Sequence, residues 1–258
     1  MELNGKVSIV TGGASGIGAA TCRAFAAAGA KVVVTDINGE GASRVAAEIG
    51  GLALPCDVAD EAAIGDLVTA TEKEYGSVDV FFSNAGIGSG KGPLDTPIDV
   101  WQEQWQVNVM SHVFAVRAVL PTMLERGSGY LLHTASMAGI LTSHGNLPYA
   151  ATKHAVVGLA EWLSVTYHDK GIRVSLLTPL GVNTPMLNAA DSAFAAVAAG
   201  PIKEPHEVAQ QVVDAVSAER FLILTDPIAQ TWMERKTNDL ERWLTGMRRM
   251  QTKIDTIP

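Results

Sequence analysis

Cysteine, positive charge and long apolar runs are all scarce in this sequence. Its two cysteines, Cys22 and Cys56, are too few for a disulfide framework or a four-thiolate zinc site. Its six histidines show no recognisable metal-ligand spacing, so no metal is predicted. No uninterrupted apolar run approaches the roughly 18 residues of a membrane span. Residues 1–6 are charged and lead straight into a strand-like run, unlike a secretory signal, so we expect a cytoplasmic protein without a membrane partner.

The charge balance is acidic, with 19 Lys and Arg against 27 Asp and Glu and a net charge of −8. Nucleic acid is therefore not an expected partner, because phosphate backbones bind to basic faces. Apolar residues make up 47% of the chain and charged residues 18%, which supports a large core and excludes a disordered chain. Composition thus predicts a globular protein and leaves its chemistry open.

Short β-branched runs alternate with helical patterns along the sequence. Strands are predicted near 6–10, 31–36, 52–56, 78–82, 130–134, 173–177 and 221–224, and helices near 16–28, 39–49, 60–75, 99–125, 149–169 and 204–218. Nearly continuous apolar strands between helices are typical of a parallel sheet covered on both faces. The sequence therefore predicts a doubly wound α/β fold with a seven-stranded parallel sheet, in one domain over residues 1–258.

The C-terminal region, residues 227–258, departs from this alternation and is predicted as a helical extension. Its apolar residues recur at steps of three and four, as on one helix face: Leu240, Trp243, Leu244, Met247, Met250 and Ile254. This stripe either packs on its own subunit or docks on another one, and the spacing alone leaves both readings open.

A glycine-rich turn joins the first predicted strand to the first helix. It contains Gly12, Gly13, Gly16 and Gly18. Glycine lets backbone approach a ligand closely, and the free N–H groups of a first helical turn attract anions, so a dinucleotide pyrophosphate fits here. The spacing is not the G-x-G-x-x-G fingerprint, and a glycine-rich turn without a ligand is the alternative.

Asp36 ends the second predicted strand, 24 residues after Gly12. A carboxylate at this place can accept hydrogen bonds from both ribose hydroxyls of an adenosine, and it repels a 2′-phosphate. No Arg or Lys stands beside Asp36 or inside the glycine-rich turn to offset that repulsion. We therefore predict NAD rather than NADP as the cofactor. The alternative is an ordinary exposed turn residue.

Tyr149 and Lys153 lie four residues apart at the start of a predicted helix, so they share a face. A free tyrosine has a pKa near 10, and a neighbouring ammonium group lowers it. The pair can then exchange a proton with an alcohol or ketone oxygen. Ser136 follows the preceding strand, at the sheet edge where ligands bind. Alone, a Tyr-x-x-x-Lys pair is usually a solvated helix face.

In combination these motifs resemble the short-chain dehydrogenase/reductase family, in its branch of single-domain members of about 250 residues. The resemblance runs from residue 3 to about 225 and rests on Thr11-Gly12-x-x-x-Gly16-x-Gly18, Cys56-Asp57-Val58, Ser83-Asn84-Ala85-Gly86, Asn108, Ser136, Tyr149-x-x-x-Lys153 and Pro179 to Thr184. It implies a Rossmann-like fold and a homodimer or homotetramer.

The resemblance also implies site roles. Tyr149 is expected to be the general acid/base, Lys153 to lower its pKa, Ser136 to bind the reacting oxygen, and Asn108 to anchor a relay water. The implied cofactor-binding residues are Gly12, Ser15, Gly16, Ile17, Gly18, Asp36, Ile37, Asp57, Val58, Asn84, Ala85, Gly86, Tyr149, Lys153, Pro179, Val182 and Thr184.

Two departures from the family pattern stand out. The family usually has Pro-Gly where this chain has Pro179-Leu180, and a leucine there could narrow the pocket or shift the nicotinamide loop. The last predicted strand leads through residues 224–227 into the C-terminal region, instead of the family's usual Asp-Gly-Gly-like end. The usual tetramer therefore does not carry over directly.

The predicted function is reversible hydride transfer between NAD and a secondary alcohol or ketone, with a hydrophobic small molecule as substrate. Residues 88–94, residues 137–148 and the segment after Thr184 are expected to form the pocket walls, with a lid over about 185–203. His144 could touch a polar group of the substrate, although a solvated loop histidine is the simpler expectation. A ketoacyl-carrier-protein reductase and a non-catalytic NAD(H)-sensing protein of the same fold are the alternatives.

Overall fold

A computed structural model describes residues 1–189 and 199–256 of the chain. Within them a seven-stranded, all-parallel sheet has the order β3-β2-β1-β4-β5-β6-β7. Its strands are β1 (Val7–Thr11), β2 (Lys31–Thr35), β3 (Leu52–Ala53), β4 (Val80–Ser83), β5 (Gly129–Thr134), β6 (Ile172–Thr178) and β7 (Leu222–Leu224). The strand order reverses between β1 and β4, which places a crevice for ligands at the carboxyl ends of these two strands.

Helices cover both faces of the sheet. They are α1 (Gly16–Ala27), α2 (Gly39–Ile49), α3 (Glu61–Tyr75), α4 (Ile98–Trp105), α5 (Ser111–Glu125), α6 (Ala138–Leu141), α7 (Leu147–Tyr167), α8 (Pro185–Asn188), α9 (Pro205–Ser217), α10 (Pro227–Asn238) and α11 (Leu240–Asp255). A π-helical turn, Gln106–Met110, joins α4 to α5, and a 3-10 turn, His168–Lys170, follows α7. The predicted doubly wound α/β fold is confirmed.

The strands are buried because the side chains of successive residues pack into two separate cores, one on each face of the sheet. Ile9, Phe81 and Leu131 pack on one face of the sheet with residues of α3, α5 and α7. Their neighbours Val10 and Phe82 pack on the other face with residues of α1, α2 and α9. This period-two alternation into two apolar layers explains why the strands are apolar throughout.

The predicted elements are confirmed, with differences at their ends. The third strand was expected over 52–56, but only Leu52–Ala53 pair with β2 as a strand. The chain after Ala53 still runs beside β2 and the residue that follows it, with hydrogen bonds from Leu54 N to Val34 O at 3.1 Å and from Cys56 N to Asp36 O at 3.2 Å. The prediction of one domain stays a prediction.

One helical stretch, Ile98–Glu125, is long and apolar enough by composition to cross a membrane. This corrects the sequence expectation, which considered only uninterrupted apolar runs and not mean hydropathy over a window. Half of that window is buried inside the fold, and α5 contributes Phe114, Val119 and Met123 to the core beneath the sheet. A core helix meets the same criterion, so the stretch is weak evidence for a span.

The C-terminal region forms two consecutive helices, α10 and α11, as predicted. Asp239 separates them and caps α11, with its side-chain oxygen accepting from Arg242 N at 3.0 Å. α11 has no buried residue, and its apolar stripe is half-buried except for Leu240, which is exposed. The helix therefore lies outside the two cores of the sheet.

Candidate active site

A cavity of about 2390 Å³ opens at the carboxyl edge of the sheet. The loops after β1, β2, β4, β5 and β6 line it, and α10 and α11 close one side. Parallel strands bring all these loops to one edge, which is why residues distant in sequence meet here. Pockets for one small ligand are usually about 300–1,000 Å³, so this cavity has room for a dinucleotide and a substrate together.

The glycine-rich turn borders the cavity with backbone, and added side chains would disrupt it. A Cβ on Gly18 would lie 2.1 Å from the carbonyl oxygen of Gly12, and one on Gly13 would lie 2.7 Å from Val34 Cγ1. Gly12 has φ +65° and Gly16 has φ +50°, the left-handed region that favours glycine. The turn therefore forms a narrow backbone cradle before α1, which fits a pyrophosphate.

Ser15 is the N-cap of α1, and its hydroxyl makes no capping bond to the helix. Ser15, Gly16 and Ile17 all line the cavity. The first-turn amides thus donate no hydrogen bond to the cap side chain, and this end of the helix attracts an anion.

Asp36 is fixed by backbone amides on both carboxylate oxygens. Oδ2 accepts from Ala14 N at 3.0 Å, within the glycine-rich turn, and Oδ1 accepts from Asn38 N at 2.9 Å. The side chain is half-buried and lines the cavity, unlike an ordinary exposed turn residue. Each oxygen retains a lone pair for a further donor.

The neighbouring predicted contacts lie at the same end of the cavity. Ile37, Asp57 and Val58 all line it. Ile37 is 76% exposed, although large apolar side chains usually avoid water. Asp57 is also exposed, and its Oδ1 accepts from Ala59 N at 2.9 Å, which fixes its orientation. We call this part, with the glycine-rich turn, the cofactor end.

Asn84 ties three strands together at the switch point. Its Nδ2 donates to Thr11 O at 3.0 Å, and its Oδ1 accepts from Thr134 Oγ1 at 3.1 Å. Thr11 Oγ1 also accepts from the amides of Asn84 and Ala85, at 2.9 and 3.0 Å. These bonds hold the ends of β1, β4 and β5 in register, so the cavity floor is rigid.

Ser136, Tyr149 and Lys153 converge at the middle of the cavity. Tyr149 lies in the first turn of α7, where its N–H donates to Asn146 Oδ1 at 3.0 Å. Lys153 is one turn further on, 2% exposed, and its Nζ donates to Thr134 O at 2.9 Å and lies 5.6 Å from the Tyr149 ring centroid. Three of the four predicted catalytic side chains therefore line one cavity, together with Gly86 and Gly88, whereas Asn108 does not line it.

The pKa values of this group differ from the sequence expectation. Burial raises the pKa of Tyr149 above its usual value, and a hydrogen bond with Ser136 acts in the opposite direction. Burial lowers the pKa of Lys153 to about 8. In the chain by itself the pKa of Tyr149 is thus raised and not lowered, because desolvation outweighs the hydrogen bond with Ser136.

Asn108 lies in the π-helical turn and is fully buried. Its Oδ1 accepts from Ile87 N at 2.8 Å, and its Nδ2 donates to Ile87 O at 2.9 Å and Thr152 Oγ1 at 3.2 Å. A Cβ on Gly86 would lie 3.2 Å from this Oδ1 and 3.4 Å from Lys153 Nζ. Asn108 thus fixes the loop after β4 beside Lys153, and the predicted relay water stays a prediction.

The loop after β6 carries the remaining predicted contacts, and Pro179, Val182 and Thr184 line the cavity. Thr184 caps α8, accepting from Leu187 N at 3.4 Å. Leu180, at the family's usual glycine position, packs in an apolar cluster with Met137 and Trp232. Its side chain therefore supports the C-terminal helices. Residues 190–198 of the predicted lid lie outside the described residues.

The other end of the cavity is formed by helices, and we call it the substrate end. His144 lines it, and its Nδ1 donates to Gln251 Oε1 of α11 at 2.8 Å. Gln251 is oriented by its Nε2, which donates to Asp255 Oδ1 at 2.7 Å, so its Oε1 faces His144 as an acceptor. The proton of the neutral His144 ring is therefore assigned to Nδ1. His144 thus contacts the C-terminal helix, which neither sequence expectation for it foresaw.

Comparison with known proteins decides the family. The sequence profile described as short chain dehydrogenase matches residues 6–194. The chain belongs to the short-chain dehydrogenase family. As a member, this short-chain dehydrogenase is an oxidoreductase acting on alcohol or ketone groups.

Named relatives share this architecture over most of their length. The chain is 38% identical to a 2,5-dichloro-2,5-cyclohexadiene-1,4-diol dehydrogenase of Sphingobium indicum, covering 82% of this chain and 90% of the relative. A short chain dehydrogenase/reductase from Burkholderia phymatum in complex with NAD has TM-score 0.86 and 28% identity, covering 93% and 96% of the two chains. A 3-ketoacyl-(acyl-carrier-protein) reductase from Brucella melitensis, complexed with NADH, has TM-score 0.80 and 30% identity, covering 86% and 96%.

The sequence did not indicate the hydrogen bonds that several residues make in the site. Thr11 and Thr134 are strand-end residues whose hydrogen bonds hold Asn84 and Lys153. Asn146 caps α7 and fixes the backbone of Tyr149. An N-cap signal three residues before Tyr149 could have identified Asn146. The threonines carried no such signal, because each bonds a partner distant in sequence.

Proposed function

We propose that this short-chain dehydrogenase catalyses reversible hydride transfer between a nicotinamide dinucleotide and a hydrophobic secondary alcohol, with NAD favoured over NADP. The observation that carries the proposal is the meeting of Ser136, Tyr149 and Lys153 in the cavity that also contains the glycine-rich turn. The backbone cradle at Gly12 to Gly18 fits a dinucleotide. When bound, the nicotinamide supplies the hydride acceptor for oxidation and the donor for reduction.

The residues of the chain have distinct roles in this proposal. During oxidation Tyr149 takes the hydroxyl proton of the alcohol, and Ser136 hydrogen-bonds the same oxygen. The Lys153 ammonium, between Thr134 O and the tyrosine ring, stabilises the phenolate and binds the nicotinamide ribose. During reduction the proton returns from Tyr149 to the oxygen of the ketone. Asn108 holds the adjoining loop in place.

Replacing Tyr149 by Phe tests the role of the phenol. We expect turnover to fall at least 1,000-fold while NADH affinity stays within about twofold, because only the proton acceptor is lost. In the unmodified protein oxidation should speed up as the pH rises, since the phenol must lose its proton, and reduction should slow down. Assays of NADH absorbance and fluorescence titration measure both. Tyr167→Phe, at the far end of α7, is the matched control, and normal turnover by Tyr149→Phe would refute the assignment.

A carrier-protein-linked ketone is the second candidate substrate, favoured by the likeness to the ketoacyl reductase from Brucella melitensis. Because that reductase was solved with NADH, cofactor preference alone does not separate the two functions. Comparing kcat/KM for a ketoacyl thioester and a free cyclic alcohol separates them. A sensor that binds NADH without turnover would reduce or oxidise neither compound.

We also infer a homodimer or homotetramer in the cytoplasm. The support for assembly is a set of large apolar side chains exposed on α4 and α7: Ile98, Trp162 and Val165, which are 71%, 59% and 86% exposed. Sedimentation of the purified protein measures the oligomeric state, and a monomer at micromolar concentration would contradict this inference.

A further inference from the structure

α11 presents one face to the cavity. Trp243, Met247, Met250 and Ile254 all line it, although they follow Tyr149 by about a hundred residues. They recur at steps of three and four, so they form one stripe along the helix. We call these four residues the C-terminal wall. The other two residues of the apolar stripe seen in the sequence, Leu240 and Leu244, do not line the cavity.

The C-terminal wall faces the open cavity, whereas the apolar face of a core helix would pack against other side chains. No residue of α11 is buried, and the four wall residues are half-buried. The charged residues that also line this part of the cavity, Arg235, Asp239, Arg242 and Asp255, are exposed. An apolar interior with a charged rim is the usual composition of a pocket for an apolar small molecule.

α10 and α11 are held on this cavity at three places. Lys236 Nζ donates to the carbonyl of Ile140, on α6. His144 Nδ1 donates to Gln251 Oε1 at 2.8 Å. Trp232 and Trp243 pack against the buried side chains of Met137 and Leu141. These contacts connect the two helices to the segment between Ser136 and Tyr149, so the C-terminal wall faces the catalytic residues of its own subunit.

We propose that α11 is a substrate-recognition element, in which the C-terminal wall binds the apolar cyclic body of a secondary alcohol whose hydroxyl contacts Tyr149. This inference rests on the proposed function and adds the residues that select the substrate. The three attachments of α10 and α11 favour binding to the same subunit over an arm on another subunit. Methionine suits such a wall, because its flexible side chain adapts to an irregular apolar surface.

The decisive experiment compares two double variants of the same helix. Met247→Ala/Met250→Ala removes apolar groups that line the cavity. Leu240→Ala/Leu244→Ala removes apolar groups of similar size that do not. Removing several buried methylene groups weakens an apolar contact by about tenfold. We expect the methionine variant to raise the KM for menthol about tenfold and to keep that for isopropanol within about twofold. The leucine variant should keep both within about twofold.

A binding measurement separates this inference from the proposed function. Calorimetric titration of menthone into NADH-loaded protein that carries Tyr149→Phe measures recognition without turnover. We expect menthone affinity to fall about tenfold on adding Met247→Ala/Met250→Ala and to persist on adding Leu240→Ala/Leu244→Ala. If the two double variants differ in menthone affinity as expected, but no protein that keeps Tyr149 shows turnover, only the proposed function is overturned.

Equal menthone affinity in the two double variants would overturn the inference, and so would an unmodified protein that binds no menthone. An equal loss of menthol and isopropanol turnover would also overturn it, since the helix would then only support the catalytic residues. A methionine variant that sediments as a smaller assembly, with menthol kinetics unchanged, would instead assign the C-terminal wall to a contact between subunits.

Discussion

The cofactor end of the cavity consists of backbone and short polar side chains, whereas the substrate end consists of large apolar side chains on helices. At the cofactor end, both carboxylate oxygens of Asp36 accept from backbone amides, at 3.0 and 2.9 Å. At the switch point, Asn84 donates to the carbonyl oxygen of Thr11 at 3.0 Å. At the substrate end, α11 is attached by a few side-chain contacts and has no buried residue. The cofactor end is thus fixed by backbone hydrogen bonds at the sheet edge, and the substrate end is carried by helices that follow the last strand.

Among substitutions that compare the two ends of the cavity, the largest effect is expected from Gly18→Ala, at the cofactor end. The new Cβ would lie 2.1 Å from the Gly12 carbonyl oxygen, so the turn must move. We expect NADH affinity to fall about 100-fold or more, which corresponds to roughly 3 kcal/mol. Fluorescence titration measures the affinity. Gly65→Ala in α3 is the matched control, because a Cβ there meets nothing within 4 Å. Similar NADH binding by both variants would contradict the rigid-cradle description.

A smaller effect is expected from Asp36→Ala, which tests whether this carboxylate causes a preference for NAD over NADP. Removing the carboxylate removes an acceptor for ribose hydroxyls and a charge that repels a 2′-phosphate, and hydrogen bonds to charged groups are worth about 1.5–3 kcal/mol. We expect the ratio of kcat/KM for NAD to that for NADP to fall about 10- to 100-fold. Asp36→Asn keeps a hydrogen-bond acceptor without the charge and should lose less NAD affinity. An unchanged ratio in both variants would remove Asp36 as the discriminator.

The smallest effect is expected from Leu180→Gly, which restores the family's usual residue and tests the attachment of the substrate end. Leu180 packs with Met137 and Trp232, so its loss should loosen α10 and α11. For a half-buried leucine we expect a loss of about 1 kcal/mol in stability, below the roughly 2–5 kcal/mol for a fully buried one. Thermal unfolding measures it, and Leu180→Ala separates lost packing from added backbone freedom. A fully stable variant with unchanged menthol kinetics would mean that Leu180 does not support the C-terminal helices.

The same comparison explains which features could be predicted from the sequence. The fold and the cofactor end follow from local signals: apolar strands, glycines in a turn, and a carboxylate at a strand end. The positions of Tyr149 and Lys153 on one helix face also follow from local spacing. The apolar stripe of α11 was visible too, but periodicity states only that a face is covered. What covers it depends on contacts such as His144 with Gln251, 107 residues apart, which no local pattern encodes.

The raised pKa of Tyr149 was also beyond the sequence. The expectation considered the charge of Lys153, whereas in the structure the burial of Tyr149 raises its pKa and the burial of Lys153 lowers that of the amine. Desolvation depends on everything that surrounds a group, so a two-residue motif cannot give its sign. The motif identified the residues, and the fold determines their titration.

The attachment of α11 by a few contacts has a consequence for how such a chain can diversify. Trp243 packs against the buried cluster of Met137 and Leu141, but no other residue of the C-terminal wall belongs to a core cluster. Substitutions at Met247, Met250 and Ile254 are therefore expected to cost little folding stability. Selection for a new alcohol can therefore act on the last 30 or so residues while the catalytic and dinucleotide-binding parts stay unchanged. The residues proposed to bind the dinucleotide and exchange the proton thus lie on different elements of the fold from the residues proposed to select the alcohol.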